Sequence, residues 1–109
     1  MSAESRLSEL GLALPPAPTP AGLYKPLLLV GGMAYISGHG PLLGDGTYIT
    51  GRVGDALDQQ AGYDAARQAG LAILATVRNG LGSLDRVRRV VKVFGLVNCT
   101  DDFEQHPAV

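Results

Sequence analysis

The segment that most limits the fold of this chain is residues 86–98, because a strand there would be apolar on both sides. In an extended chain, alternate side chains point to opposite faces. Both faces carry large apolar side chains: Val87, Val91, Val93 and Val97 on one, and Val90, Phe94 and Leu96 on the other. This pattern is typical of a central strand that is covered on both sides. We therefore expect its neighbours to come either from another chain or from sequence beyond Val109.

Further strands and one long helix are predicted before that segment. Residues 23–30 and 33–37 indicate two strands joined by the tight-turn pair Gly31-Gly32. Residues 47–50 indicate a short third strand. A helix is predicted from Asp58, a good N-cap, to the stop signal Asn79-Gly80.

The two ends of the chain carry weaker signals. Residues 5–12 predict a short helix. Four prolines fall within residues 14–20, which favours an extended, stiff segment, called the proline arm below. Residues 100–104 predict the start of a second helix, capped by Thr100 or Asp101. We divide the chain into an N-terminal extension with the arm, residues 1–20, and a domain over residues 21–109 that is incomplete at its C-terminus.

Composition excludes several classes of protein. The chain has 109 residues, which is one domain by size, and 9 basic against 10 acidic residues give a net charge of −1. This balance disfavours nucleic acid and anionic membranes as partners. Cys99 is the only cysteine, so no disulfide can form within the chain and a reducing, cytoplasmic location is expected. The longest strongly apolar run, residues 27–30, is too short to span a bilayer.

Motifs that carry chemistry are sparse. His39 and His106 are the only histidines. Neither has a metal-ligand partner at short spacing, so no metal site is predicted, and no Cys–His pair stands out. The glycine-rich residues 38–46 do not fit a phosphate-binding loop.

Two other groups of residues leave alternatives open. A basic cluster at the start of the two-faced strand suits either a solvated strand end or a nucleic-acid contact; it comprises Arg86, Arg88, Arg89 and Lys92. Tyr24, Tyr35 and Tyr48 suit either the edge of the core or a site that uses their hydroxyls.

Several short motifs, in order, resemble the reactive-intermediate deaminase family, also called the RidA, YjgF or endoribonuclease L-PSP family. Gly22-Leu23-Tyr24 resembles its Gly-x-Tyr, and Ser37-Gly38-His39-Gly40-Pro41 resembles the Ser-Gly-Gln-x-Pro that ends its hairpin. Residues 45–54 and 81–93, followed by Asp102-Phe103, resemble the later parts of the domain. The N-terminal residues resemble the branch of the family that has an extension.

The resemblance implies a chorismate-mutase-like α+β fold, with a sheet packed on helices, and a homotrimer with sites between subunits. It implies hydrolysis of reactive 2-enamine or 2-imine acids to keto acids and ammonia, with no cofactor. By resemblance, Tyr24 lines the cleft, Gly38 offers its backbone to a substrate carboxylate, and Ser37 lies beside it. His39 stands where the family commonly has glutamine.

The family's catalytic arginine and glutamate have no counterpart in this chain, so the catalytic residues are unknown. The prediction of deaminase activity requires that an equivalent arginine and glutamate exist beyond Val109. A trimeric module that binds small metabolites without turnover is the first alternative. An endoribonuclease or translation inhibitor is the second.

Overall fold

A computed structural model describes residues 2–109. Two helices and one hairpin form the regular structure: α1 (Ala3–Glu9), β1 (Leu27–Val30), β2 (Met33–Ile36) and α2 (Gln59–Leu81). Two single 3₁₀ turns follow, at Leu84–Arg86 and His106–Ala108. Within the described residues, neither helix is long and apolar enough to cross a membrane.

The central hairpin forms as its turn residues predict, with shorter strands than expected. Gly31 and Gly32 both have positive φ, at 54° and 84°, which suits the two-residue turns that match the twist of paired strands. Leu27 pairs with Ile36 and Val30 with Met33 in an antiparallel register.

Helix α2 begins where its cap predicts and ends later than predicted. The Asp58 carboxylate accepts the Ala61 N–H at 2.8 Å. The helix continues through the Asn79-Gly80 signal to Leu81, and Gly82 ends it with a left-handed φ of 85°. The predicted stop was wrong because Gly80 has a packing role instead: a Cβ there would lie 3.2 Å from the Leu27 side chain.

The core joins the N-terminal residues to α2. Leu7 of α1, Val77 of α2 and Leu84 are 8%, 8% and 4% exposed and form one cluster. Seven partly buried side chains pack around it: Leu12, Leu14, Leu27, Ile36, Ile73, Leu74 and Leu81. Helix α1 has only seven residues, too few for stability in isolation, so this packing holds it in place.

An ionic cluster fastens α1 to the end of α2. The Arg78 guanidinium donates to the Glu4 carboxylate at 2.6 and 3.3 Å, and the Leu84 N–H donates to it at 2.8 Å. In return, the Glu4 N–H donates to the Asp85 carboxylate at 2.9 Å. The Arg78 hydrogen bond is the main reason that the pKa of Glu4 is lowered, and the Leu84 N–H adds to it. We call these contacts the Glu4 latch.

Residues 87–98 do not form the predicted strand within the described part of the chain. Their large apolar side chains are exposed, Phe94 by 78% and Leu96 by 86%. Only the end of the segment pairs, where the Val53 N–H donates to Asn98 O at 2.9 Å. A strand needs a partner for its backbone, and within residues 2–109 no other strand pairs with this segment.

Two shorter predictions were also wrong. Residues 47–50 make a single bridge, Leu42 with Tyr48, instead of a strand. Residues 100–104 form a turn and no helix, because Thr100 uses its hydroxyl on the nearby Asp102 carboxylate at 2.6 Å. The radius of gyration is 14.8 Å, above the value of about 13 Å expected for this length, as the exposed segments suggest.

Candidate functional site

The loop after β2 is fixed at its first residue. The Ser37 N–H donates to Pro26 O at 3.0 Å, and the Ser37 hydroxyl donates to Lys25 O at 2.7 Å. The backbone bond continues the hairpin pairing by one residue beyond Ile36, and the hydroxyl bond reinforces it. The direction in which the chain leaves the hairpin is therefore set before Gly38.

The same loop is fixed again by the His39 ring. Its Nδ1 lies 2.7 Å from Ser37 O, and its Nε2 lies 2.7 Å from the Thr76 hydroxyl of α2. A carbonyl oxygen can only accept, so Nδ1 carries a proton, and in the neutral ring Nε2 accepts from Thr76. Thr76 is 3% exposed. His39 thus ties the loop to the buried side of α2 through Nε2 and to the loop's own backbone through Nδ1.

Between these two ties, the backbone N–H groups of Gly38, His39 and Gly40 donate to no acceptor within residues 2–109. A Cβ at Gly38 would meet no atom within 4 Å, so this part of the loop faces open space. Backbone N–H groups are strong donors, and those without a protein acceptor are available to water or to a ligand. This stretch, which we call the Gly38 loop, therefore offers hydrogen-bond donors to an acceptor such as a carboxylate.

A small pocket adjoins the Gly38 loop. Its lining combines that loop, the end of the proline arm and two tyrosines: Pro18, Thr19, Pro20, Ala21, Tyr24, Pro26, Gly38, His39, Gly40, Leu42 and Tyr48. The volume is about 50 Å³, a third of the roughly 150 Å³ of a cavity that holds benzene. The chain by itself therefore encloses only part of a small ligand.

The two tyrosines are held over glycines. A Cβ at Gly40 would lie 3.3 Å from the Tyr48 ring, and one at Gly22 would lie 3.5 Å from the Tyr24 ring. The Tyr24 hydroxyl accepts the Ala21 N–H at 3.2 Å, which leaves its own proton free for a ligand. Tyr48 follows a turn closed by Asp45, which accepts from the Thr47 hydroxyl at 2.6 Å; this bond lowers the pKa of Asp45.

The pocket lining includes no aspartate, glutamate, lysine or arginine. No three potential metal ligands come together anywhere in residues 2–109. The pocket offers backbone N–H groups, tyrosine hydroxyls and apolar proline surface. It can bind and orient a small anion, and its lining holds no carboxylate to accept a proton from water.

Three of the four predicted site residues meet in this pocket: Tyr24, Gly38 and His39. Ser37 lies next to them in sequence but is absent from the lining, because its hydroxyl is used on Lys25.

Sequence reasoning missed the end of the proline arm, which lines the pocket, and Thr76, which holds the lining residue His39. A threonine inside a helix carries no signal that a loop histidine lies against it. The arm was expected only to lead into the domain.

One pair of side chains outside the pocket was also missed. Cys99 Sγ lies 3.3 Å from His106 Nε2, although the seven-residue spacing between them indicates no pair. In the basic cluster, Arg86 donates to Leu81 O at 3.1 Å and so caps α2. This contact favours a structural use for that arginine.

Fold and pocket together define a small α+β domain with its site between a hairpin loop and an N-terminal arm. A sequence model of the family described as YjgF/chorismate mutase-like, putative endoribonuclease matches residues 4–109. The chain belongs to this family and has its chorismate-mutase-like fold.

Individual proteins agree with this assignment. The chain is 35% identical over 105 residues to Protein TCP17 of Trypanosoma cruzi, which covers 96% of this chain and 66% of that protein. The crystal structure of a putative endoribonuclease from Shewanella oneidensis MR-1 matches with a TM-score of 0.93 and 31% identity, over 99% of this chain and 72% of that one.

A second crystal structure, of the protein Atu1372 with unknown function from Agrobacterium tumefaciens, matches with a TM-score of 0.83 and 34% identity. That match covers 96% of this chain and 63% of that one. The chain thus spans about two thirds of the length of these relatives.

Proposed function

We propose that the pocket binds the carboxylate of a small 2-imino acid and that the assembled protein hydrolyses this acid to a 2-keto acid and ammonia. The observation that carries the proposal is the Gly38 loop, with three successive N–H groups free to bind an anion. Membership of the family, together with the Tyr24 and Ser37-Gly38 motifs, supports the choice of reaction.

The reaction needs only water as a second reactant. Water adds to the carbon of the C=N bond, a proton moves to the nitrogen, the C–N bond breaks and ammonia leaves as the C=O bond forms. In this proposal the Gly38 loop holds the carboxylate, and the Tyr24 hydroxyl donates a hydrogen bond to the ligand. His39 keeps the loop in place through Thr76 and leaves no ring nitrogen for the water.

The proposed assembly is a homotrimer with the site completed at the contact between subunits. The pocket of one chain is small and carries no acidic or arginine side chain, so the groups that activate water come from outside this lining. The apolar side chains of residues 87–98 and of the hairpin provide surface for such a contact; Tyr35, for example, is 58% exposed. The single cysteine suits a reducing compartment, and the proposal places this activity in the cytoplasm.

A second candidate is binding of small acids without turnover. The lack of a carboxylate in the pocket favours it, because hydrolysis needs a group that manages the proton of water. Ribonuclease activity, which the Shewanella relative's description suggests, has less support. Arg88, Arg89 and Lys92 lie outside the pocket, on the exposed segment of residues 87–98.

The test uses an amino-acid oxidase to release a 2-imino acid in the presence of semicarbazide, which traps the imine. A protein that hydrolyses the imine lowers the rate of semicarbazone formation and raises that of ammonia release. We expect this effect from the wild-type protein and its loss in Gly38→Ala, whose methyl group enters the open space at the loop without a clash.

Gly44→Ala is the matched control, since Gly44 also has no atom within 4 Å of a Cβ and lies outside the pocket. We expect it to retain wild-type activity. Binding of the keto acid without faster hydrolysis would favour the second candidate. Equal activity in the two alanine variants would contradict the role of the Gly38 loop.

A further inference from the structure

The proline arm touches two different parts of the molecule. Its first half lines a shallow groove on α2 through Leu14, Pro15 and Ala17, against Ala75 and Arg78. Its second half, from Pro18 to Pro20, lines the same pocket as the Gly38 loop. The arm therefore links the surface of α2 to the site.

We propose that the proline arm is the specificity wall of the pocket and that Pro18 sets the size of the substrate side chain. This proposal rests on the proposed function, because it assumes that the Gly38 loop binds the carboxylate of the same ligand. It adds a role for residues that the family motifs do not include.

The chemistry of the Gly38 loop and of the proline arm supports separate roles for these two parts of the lining. The Gly38 loop offers N–H donors, whereas the arm offers two proline rings, which have no N–H and present carbon to the pocket. Pro26 and Leu42 extend this apolar surface. A carboxylate prefers the donor side, so the group next to it, the side chain of the acid, meets the arm.

The arm is held firmly enough to act as a wall. Pro15 is buried, and Leu12 and Leu14 pack against the core cluster of Leu7, Val77 and Leu84. At the other end, the Ala21 N–H donates to the Tyr24 hydroxyl. Each proline fixes its own φ near −65°, so the residues between these two anchors have little freedom to move aside for a larger ligand.

The Glu4 latch makes Glu4 a positioning residue for this wall. It holds α1 on Arg78, the same arginine that lines the groove under the first half of the arm. Loss of the latch loosens the first anchor of the arm. The effect on a ligand is then expected in its side-chain preference and not in the binding of its carboxylate.

Pro18→Ala and Pro16→Ala form a matched pair of variants. Both remove one ring and one fixed φ from the arm, but Pro16 is exposed and lines neither the pocket nor the groove. The ligands are three stable 2-keto acids with methyl, isobutyl and benzyl side chains. Dissociation constants are measured on the full chain by titration, followed through the backbone amide NMR signals of Gly38 and Gly40.

Pro18→Ala removes two ring carbons from the pocket lining. We expect it to shift the ratio of benzyl to methyl affinity toward the larger acid by about tenfold or more, since one methylene in a pocket is already worth about that factor. Pro16→Ala should keep the wild-type ratio. Glu4→Gln should move the ratio in the same direction by a smaller factor, with the methyl affinity unchanged.

Two results would overturn the proposal, and they are distinguishable. If the acids perturb Gly38 and Gly40 but both proline variants keep the wild-type ratio, the arm is not the wall and the proposed function stands. If no acid perturbs these amides in any variant, the proposed function is contradicted, and so is the proposed role of the arm in specificity.

Discussion

The helical side of the molecule and its extended side differ in how completely their apolar side chains are buried and their charged side chains are paired. On the helical side, α1, α2 and the 3₁₀ turn at Leu84–Arg86 share a buried cluster and the Glu4 latch. On the extended side, the hairpin and residues 87–98 leave apolar groups open, with Leu28 and Leu29 about half exposed on opposite faces of β1.

The two sides differ in whether the described residues supply the contacts that each side needs to fold. The helical side finds its partners within residues 2–86, so a single chain is enough to order it. The extended side has the apolar side chains of a buried sheet, but no part of residues 2–109 buries them. The proposed trimer is consistent with this, since apolar surface of this extent marks interaction sites in folded proteins.

The largest expected effect on stability is that of Leu84→Ala. Leu84 is 4% exposed and joins α1 to α2, so the cavity should lower the free energy of unfolding by about 2–5 kcal/mol. Chemical denaturation measures the loss. The control is Ala17→Gly on the exposed part of the arm, whose expected effect is within about 1 kcal/mol. If Leu84→Ala lowered the free energy of unfolding no more than Ala17→Gly does, the claim that the helical side is the more tightly packed one would be contradicted.

Phe94→Asp tests whether the extended side is an interface. Phe94 is 78% exposed in the single subunit. If a neighbouring subunit covers it, a charge there should forfeit about 1.5–3 kcal/mol per side chain, and association should weaken tenfold or more.

Sedimentation or light scattering gives the mass for this test. Tyr63→Asp on α2 is the control, because Tyr63 is also an exposed aromatic residue, at 49%, but belongs to the helical side. A Phe94→Asp protein with the wild-type mass would contradict the interface.

The Glu4 latch predicts a specific dependence of stability on pH. Because the pKa of Glu4 is lowered from its ordinary value of 4.5, the latch stabilises the folded state above that pH. This contribution is lost as the pH falls through the lowered value. The pKa of Arg78 is raised by the same contact, so Arg78 stays charged throughout.

Thermal unfolding of Glu4→Gln measures this contribution. The variant should melt below the wild type at neutral pH, and the difference should shrink on acidification below 4.5. Glu9→Gln removes only an exposed pair with Arg6, in which both side chains are at least half exposed, and should cost less. A difference for Glu4→Gln that persists unchanged in acid would argue against the latch.

The smallest expected effect is that of Thr76→Val, which removes the hydroxyl that holds His39. The loss of one hydrogen bond should cost about 0.5–1.5 kcal/mol. The backbone amide NMR signals of Gly38 and Gly40 should shift and broaden, because the loop loses its tie to α2. Thr50→Val, at a position outside the pocket, is the control; unchanged Gly38 and Gly40 signals in Thr76→Val would show that Thr76 does not position the loop.

Much of the chain follows predictions made from a few adjacent residues. The Gly31-Gly32 turn and the Asp58 cap are set by interactions within four positions, and both are found where the sequence predicts them. The family was identified in the same way, from short motifs in a fixed order. The match over residues 4–109 confirms it.

Predictions that depend on a distant partner were less successful. Residues 86–98 have the pattern of a strand, but pattern alone does not supply the neighbouring backbone that a strand requires. The Asn79-Gly80 stop was overridden because Leu27 lies against Gly80 and the helix gains by continuing. In each case, the competing contact lies tens of positions away or outside the described residues.

The sequence by itself determined the turns, the helix cap, the family and three residues of the pocket, because these depend on local conformation and on motifs read in order. Only the tertiary structure decided that His39 is tied to Thr76, that Glu4 is bound to Arg78 and that the proline arm lies against the Gly38 loop. These contacts join residues far apart in the chain, and the packing of α2 against its neighbours is what brings them together.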